Sequence, residues 1–276
     1  MHRPLILLIA AASIAVFPQI PQVPSPVAET TRVHSRLKEK NITGARRTLS
    51  LGTLLAPREG APCPTLVVHF HGAAWVVEQS VRRADSKAAV LTVQLGAGSR
   101  AYAEPFASTP DRFLSLVRES GCGQDRILIS AFSAGYGAVR EILRSKENVE
   151  RIAGVLLADG LHAGYEEPEE KRQPRAADLA PFVDFARLAV DGKKRFFITH
   201  SEIYPGAYAS TTECVDFLFR TLRIRRNAVL LWGPLGMQQL SETSKGKFTV
   251  FGFAGNSAPD HIDHLHALSW WLSKID

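Results

Sequence analysis

The residues Ala131-Phe132-Ser133-Ala134-Gly135 set a hydroxyl between small neighbours, where an apolar run, 126–130, gives way to a helical pattern from Gly135. A sharp strand-to-helix turn needs small residues around its tip, because a larger side chain collides with the adjoining backbone. Ala131, Ala134, Gly135 and Gly137 meet that need. Such a turn holds the Ser133 hydroxyl at the carboxyl edge of a sheet and aims the first helical amides at any oxyanion formed there. The chemistry this suggests is nucleophilic attack. A serine hydroxyl is a weak nucleophile at neutral pH, so a base must stand beside it.

The base is sought where the last apolar run, 248–253, meets the final helical pattern, at His261-Ile262-Asp263-His264-Leu265-His266. His261 comes first in the turn and is best placed to lean over the sheet edge. His264, one helical turn on, packs beneath it or is the base instead. The base in turn needs a carboxylate to fix its tautomer and stabilise the imidazolium. Asp159 directly ends the run 154–158 and is favoured because Gly160 lets the chain turn away; Glu202, past the run 196–200, is the alternative.

After the run 65–70 comes His71-Gly72-Ala73, and a glycine there turns a backbone amide towards the crevice. The amides of Ala73 and Ala134 are the expected oxyanion donors. His69 reads as a strand residue with satisfied ring nitrogens, and His71 as a support for the loop. Trp75 and Tyr102, with Phe106 and Tyr165, are candidates to line a substrate pocket, with plain packing as the competing reading. A metal is not expected: His261 and His264 are spaced i, i+3 without an evident third ligand, and the cysteines show no C-x-x-C spacing.

These residues need a scaffold. The runs 65–70, 88–94, 126–130, 152–158, 195–200 and 248–253 are short and apolar, as in strands covered on both faces, hence a parallel sheet. Alternation over 46–55 predicts an exposed strand. Helices are predicted over 109–120, with Thr109 as cap, Pro110 at the first helical position and Gly121 as stop, and over 135–145, 178–190, 212–222 and 259–275. Strand–helix alternation repeated this often means an open α/β sheet, with ligands bound beyond the carboxyl ends of the strands. The segment 165–175, rich in glutamate and then basic, reads as a solvated excursion, a small flap over the site.

The chain of 276 residues, 45% hydrophobic and 22% charged, suffices for one sizeable core. Met1-His2-Arg3 followed by an apolar run over 5–17 has the outline of a signal peptide or an N-terminal anchor, too short for an ordinary membrane span. Prolines 18, 21, 24 and 26 then form an extended linker. The expectation is a leader and linker over 1–28, one domain over 29–276, and export to the periplasm or the medium. The net charge of +6 is densest at Arg220, Arg223, Arg225 and Arg226 and reads as solvated surface. No aromatic-interleaved basic motif points to nucleic acid. Cys63 precedes the run 65–70 and Cys122 the run 126–130, so parallel neighbouring strands would set both thiols at one edge. A Cys63–Cys122 bridge leaving Cys214 unpaired is expected, with three free thiols as the alternative.

Taken together, HFHGA after an early strand, AFSAG at the turn, an acid after a later strand and histidine before the last helix resemble the α/β-hydrolase superfamily, in particular its serine esterases, over nearly all of 45–276. The order Ser, acid, His is the family's order. Ala131 stands where the family's first elbow glycine would be. In most relatives the acid follows the strand equivalent to 195–200, which favours Glu202; in some it comes one strand earlier, where Asp159 stands. The resemblance implies an α/β fold with a mostly parallel central sheet and helices on both faces. It also implies hydrolysis of an ester, amide or related bond without a cofactor, and names no substrate. The expected reaction is acyl transfer through Ser133, His261 and Asp159 on a small-molecule or polymer-linked ester. A carbohydrate esterase, a peptidase and a binding protein without turnover are the competing readings.

Overall fold

The computed structural model describes residues 34–60, 62–168 and 171–275. The expected leader, 1–28, and Glu169 and Glu170 of the acidic segment lie outside them. In chain order the elements are β1 (Ala45–Thr48), β2 (Thr53–Ala56), β3 (Thr65–Phe70), α1 (Ala74–Ala84), β4 (Ala89–Val93), α2 (Ser99–Ala107), α3 (Arg112–Ser120) and β5 (Arg126–Phe132). There follow α4 (Tyr136–Ile142), α5 (Lys146–Arg151), β6 (Ile152–Ala158), α6 (Ala176–Val190), β7 (Arg195–His200) and α7 (Thr211–Leu222). The last are β8 (Ala228–Trp232), β9 (Gln238–Lys245), β10 (Phe248–Phe253), α8 (Ala258–His266) and α9 (Leu268–Lys274).

All the described strands join one sheet in the order β1-β2-β4-β3-β5-β6-β7-β10-β9-β8. The sheet is mixed. From β4 to β10 the neighbours run parallel, and antiparallel pairs extend it at both ends. The expected mostly parallel sheet is therefore parallel only in its centre, where apolar runs such as β4 are buried throughout. Helices cover both faces. One apolar layer gathers Val76, Val77, Leu268 and Trp271 from α1 and α9; the other gathers Phe106, Phe113, Phe182 and Leu218 from α2, α3, α6 and α7.

Several boundaries differ from the sequence expectation. The span 46–55 is a hairpin rather than one strand, closed by the Leu49 amide donating to the Gly52 carbonyl (3.0 Å) with Gly52 at φ 88°. Thr109 does not cap α3. That position belongs to Asp111, which makes no side-chain cap bond, while the Thr109 carbonyl accepts from the Arg112 amide. The last predicted helix breaks at Ala267 into α8 and α9. The described part of the segment 165–175 is solvated at Glu167, Pro168, Lys171, Gln173 and Arg175 but anchored: Tyr165 is buried, and Arg172 lies over the rings of Tyr165 and Tyr204 while bonding to Glu213 at the start of α7. Cys63 and Cys122 are bridged at the amino edge of β3 and β5, with Cα atoms 5.0 Å apart, and Cys214 is a free, buried thiol. No described helix is long and apolar enough to cross a membrane.

Candidate active site

Three strands adjacent in the sheet, β3, β5 and β6, end in the same unusual way. The residue after each is not glycine yet has a left-handed backbone: His71 (φ 68°), Ser133 (φ 47°) and Asp159 (φ 44°). Such conformations cost L-residues on the order of 1 kcal/mol or more and persist only where the surroundings hold them. At Ser133 the holding is visible. A single 3-10 turn, Ser133–Gly135, starts directly after β5 and leads into α4. Gly135 lies so close to β3 that a Cβ there would sit 2.2 Å from the Phe70 carbonyl oxygen. From the other side Gly160 backs onto the same turn, and a Cβ on it would lie 2.4 Å from the Ser133 carbonyl oxygen. The hydroxyl stands at the carboxyl rim of the sheet, and among the described residues it makes no hydrogen bond.

His261 is fixed in the first turn of α8, whose start is closed by reciprocal bonds between Ser257 and Asp260. Its Nδ1 donates to Asp159 Oδ2 at 2.7 Å, and its ring packs on Phe132, the residue before Ser133, with centroids 4.4 Å apart. With Nδ1 engaged by the carboxylate, Nε2 is the nitrogen available for proton transfer. Asp159 is buried and also accepts from the Ser201 amide (2.8 Å) and the Ser201 hydroxyl (2.7 Å). Burial disfavours its charge. The neighbouring His264 and His261 imidazoles and the hydrogen bonds from His261 and the Ser201 amide outweigh that penalty and hold the carboxyl below the usual carboxylate range.

The alternatives sit elsewhere. His264 is fully buried beneath the rim: its Nδ1 pairs with Thr199 Oγ1 at 2.8 Å, its ring stacks on Trp271, and burial lowers its pKa. Its Nδ1 is thus engaged by Thr199, while Asp159 is engaged by His261. Glu202 is exposed, and its Oε2 accepts from the Gly255 amide at 3.1 Å rather than from an imidazole.

Ala73 follows Gly72 (φ 109°) at the start of α1, and among the described residues its amide has no backbone acceptor. Ala134 is the first residue after Ser133. His69 is a strand residue with both ring nitrogens engaged, by Ser130 Oγ and the His71 carbonyl, and burial lowers its pKa to about 4. His71 stacks on Phe132 and pairs through Nδ1 with the Tyr102 hydroxyl. Tyr102 is fully buried, and its hydroxyl also accepts from the Leu95 amide and donates to the Gly96 carbonyl, which ties it to the 95–96 segment. Trp75 packs edge-on against His266 beside α8. Neither of these two expected pocket residues lines the cavity beside Ser133.

The cavity that Ser133 and Ala134 do line, about 400 Å³, opens on the other side, towards Ser99, Tyr136, Arg140, His162 and Tyr208. A larger depression of about 790 Å³, beside residues 36–43 and the end of α1, touches none of these groups. Sequence reasoning missed Arg140, His162 and Ser201. Ser201 alone carried a signal, since it directly follows β7 at the same rim as Asp159.

The sequence matches no protein-family model and no curated protein. Among solved structures the chain is similar to an α/β-hydrolase fold protein of unknown function, at 13% identity and TM-score 0.44 over 86% of this chain and 97% of that one. It is also similar to a cold-adapted esterase from an Arctic intertidal metagenomic library, at 16% identity and TM-score 0.40 over 66% and 81%. A third is a thermophilic esterase from Thermogutta terrifontis, a Planctomycetes species, at 13% identity and TM-score 0.43 over 79% and 86%.

Proposed function

We propose that this chain is a serine hydrolase that cleaves carboxylic esters through an acyl-enzyme. The observation that carries the reading is the 2.7 Å hydrogen bond from His261 to buried Asp159, beside a serine held left-handed at the adjoining strand end. In this reading His261 Nε2 takes the Ser133 proton as Oγ attacks the ester carbonyl. The Ala73 and Ala134 amides receive the oxyanion, each donor typically contributing roughly 3 kcal/mol of transition-state stabilisation. His261 then gives its proton to the departing alcohol, and water, deprotonated by the same nitrogen, releases the acid and restores Ser133. Asp159 keeps Nδ1 protonated throughout and stabilises the imidazolium. The Cys63–Cys122 bridge supports an oxidising compartment and so the expected export.

The test is labelling by a fluorophosphonate together with turnover of p-nitrophenyl acetate. Ser133→Ala is expected to abolish labelling and lower turnover by roughly 10³-fold or more. Labelling that survives in Ser133→Ala, or wild type that neither labels nor turns over, overturns the reading.

A further inference from the structure

We propose that the cavity beside Ser133 receives a carboxylate-bearing arm of the substrate and that Arg140 reads it. The proposal rests on the hydrolase reading for its reaction, and adds a substrate class to it.

The lining speaks first. Hydroxyls come from Ser99, Tyr136 and Tyr208, an imidazole from His162, a guanidinium from Arg140, and the remaining wall is alanine and glycine. Leucine, isoleucine, valine, methionine and phenylalanine are absent from it. The Tyr136 hydroxyl already donates to Ser99 Oγ at 3.2 Å, but a fatty acyl arm would strip water from the Arg140 guanidinium and the Tyr208 hydroxyl without replacing their hydrogen bonds, which costs free energy. A polar arm restores them.

Charge selects the kind of polar arm. Arg140 Nε bonds to Glu141 at 3.0 Å, and its Nη1 faces Asp178 only loosely, at 3.8 Å. Those acids are shared: Arg144 bonds to Glu141 at 2.8 Å, and Arg175 lies 3.8 Å from Asp178. Three guanidinium groups thus meet two carboxylates, leaving one positive charge in surplus. Of the three, Arg140 is the one that lines the cavity, with its side chain 19% exposed. Its Nη1 and Nη2 make no hydrogen bond among the described residues, so the fork that matches a carboxylate is open. His162 adds no competing charge. Burial lowers its pKa, and its Nδ1–H donates to the Ala209 carbonyl at 3.0 Å.

Reach fits as well. Tyr136 and Arg140 are spaced i, i+4 on α4 and share a face, with the guanidinium 5.9 Å from the Tyr136 ring centre. Arg140 follows Ser133 by seven positions, on the order of 10 Å along the axis. Part of that is spanned by the arginine itself, which leaves room for a short chain between an ester carbonyl on Ser133 and a distal carboxylate.

The experiment compares p-nitrophenyl monoesters of succinic, glutaric and adipic acid with neutral esters of the same chain lengths, and reads the quotient of kcat/KM, charged over neutral. Wild type is expected to favour the best charged ester at least tenfold. Arg140→Gln should lower that quotient at least tenfold, and Arg140→Lys should recover part of it, since lysine keeps the charge and loses the fork. A wild-type quotient near one, or a quotient that Arg140→Gln leaves within twofold, overturns the proposal. Glutarate binding to Ser133→Ala, followed by NMR, needs no turnover. If glutarate binds there and Arg140→Gln in the same background removes it, the anion site stands even where ester hydrolysis fails. If esters turn over and the quotient does not move, the hydrolase reading stands and the anion site falls.

Discussion

Asp159 is charged where burial alone would keep a carboxyl neutral, and its partners explain why: an imidazole, an amide and a hydroxyl converge on two oxygens. Replacing it with asparagine removes the charge that favours the His261 imidazolium and admits the wrong tautomer. Asp159→Asn is therefore expected to lower kcat by roughly 10³- to 10⁴-fold, whereas Glu202→Gln, at a carboxylate bonded to the Gly255 amide, should change it less than tenfold. Steady-state kinetics on both variants decides the acid, and the larger loss in Glu202→Gln would reverse the assignment. The folded Asp159 carboxyl titrates below its unfolded value. Its stabilisation is therefore present above about pH 4 and fades as pH falls below the usual carboxylate range towards the folded value, so urea midpoints of wild type and Asp159→Asn should draw together on strong acidification. Ser133 and Asp159 could be picked out as candidates in the sequence because each closely follows an apolar run, where chain direction alone puts it at one rim, and His261 because it opens the last helical pattern after such a run. Arg140 could not. It lies inside a helix, and only the packing of α4 against the start of α2 at Ser99 turns it into a cavity wall. The surroundings of Tyr102 were not legible either, since the sequence shows an aromatic after a strand and not the amide and carbonyl that claim its hydroxyl.

At the scale of elements, the turn after β5 is clamped by backbone on both sides. Gly160 is the sharper probe, because it lies outside the Ser133 turn and its own backbone is not left-handed. Gly160→Ala would push a methyl into the Ser133 peptide at 2.4 Å, so the turn must shift. The expected outcome is a kcat loss of about 10²-fold, as misplacement by an ångström can produce, with a melting temperature lowered by several degrees. Activity within threefold of wild type would mean that the turn yields without displacing the hydroxyl. The same scale explains which elements the sequence revealed. Strands buried on both faces announce themselves as apolar runs, and the parallel centre was read from them. The antiparallel β8–β9 pair was not, because β9 turns Gln239, Ser241 and Thr243 inward while β8 leaves Leu230, Leu231 and Trp232 exposed at the sheet edge. Pattern and burial are inverted there, so hydropathy pointed nowhere.

For the molecule as a whole, the covalent link and the chemistry occupy opposite ends of the same strands. The bridge closes a loop of 59 positions, for which chain entropy gives about 4 kcal/mol of stabilisation. Replacing Cys63 and Cys122 together with alanine should lower the urea midpoint accordingly, and thiol titration of the unfolded, unreduced chain should find one free group, Cys214. Three titrated thiols would show that the bridge does not form. The cystine ties β3 to β5 at their amino ends, while the turns after β3, β5 and β6 carry His71, Ser133 and Asp159 at the other. The chain thus has a keel and a deck. On the proposed hydrolase reading, the knot below would keep the planks in line while the rim is retuned for a new substrate, which makes the α2, α4 and 162–164 side the natural place to redirect specificity.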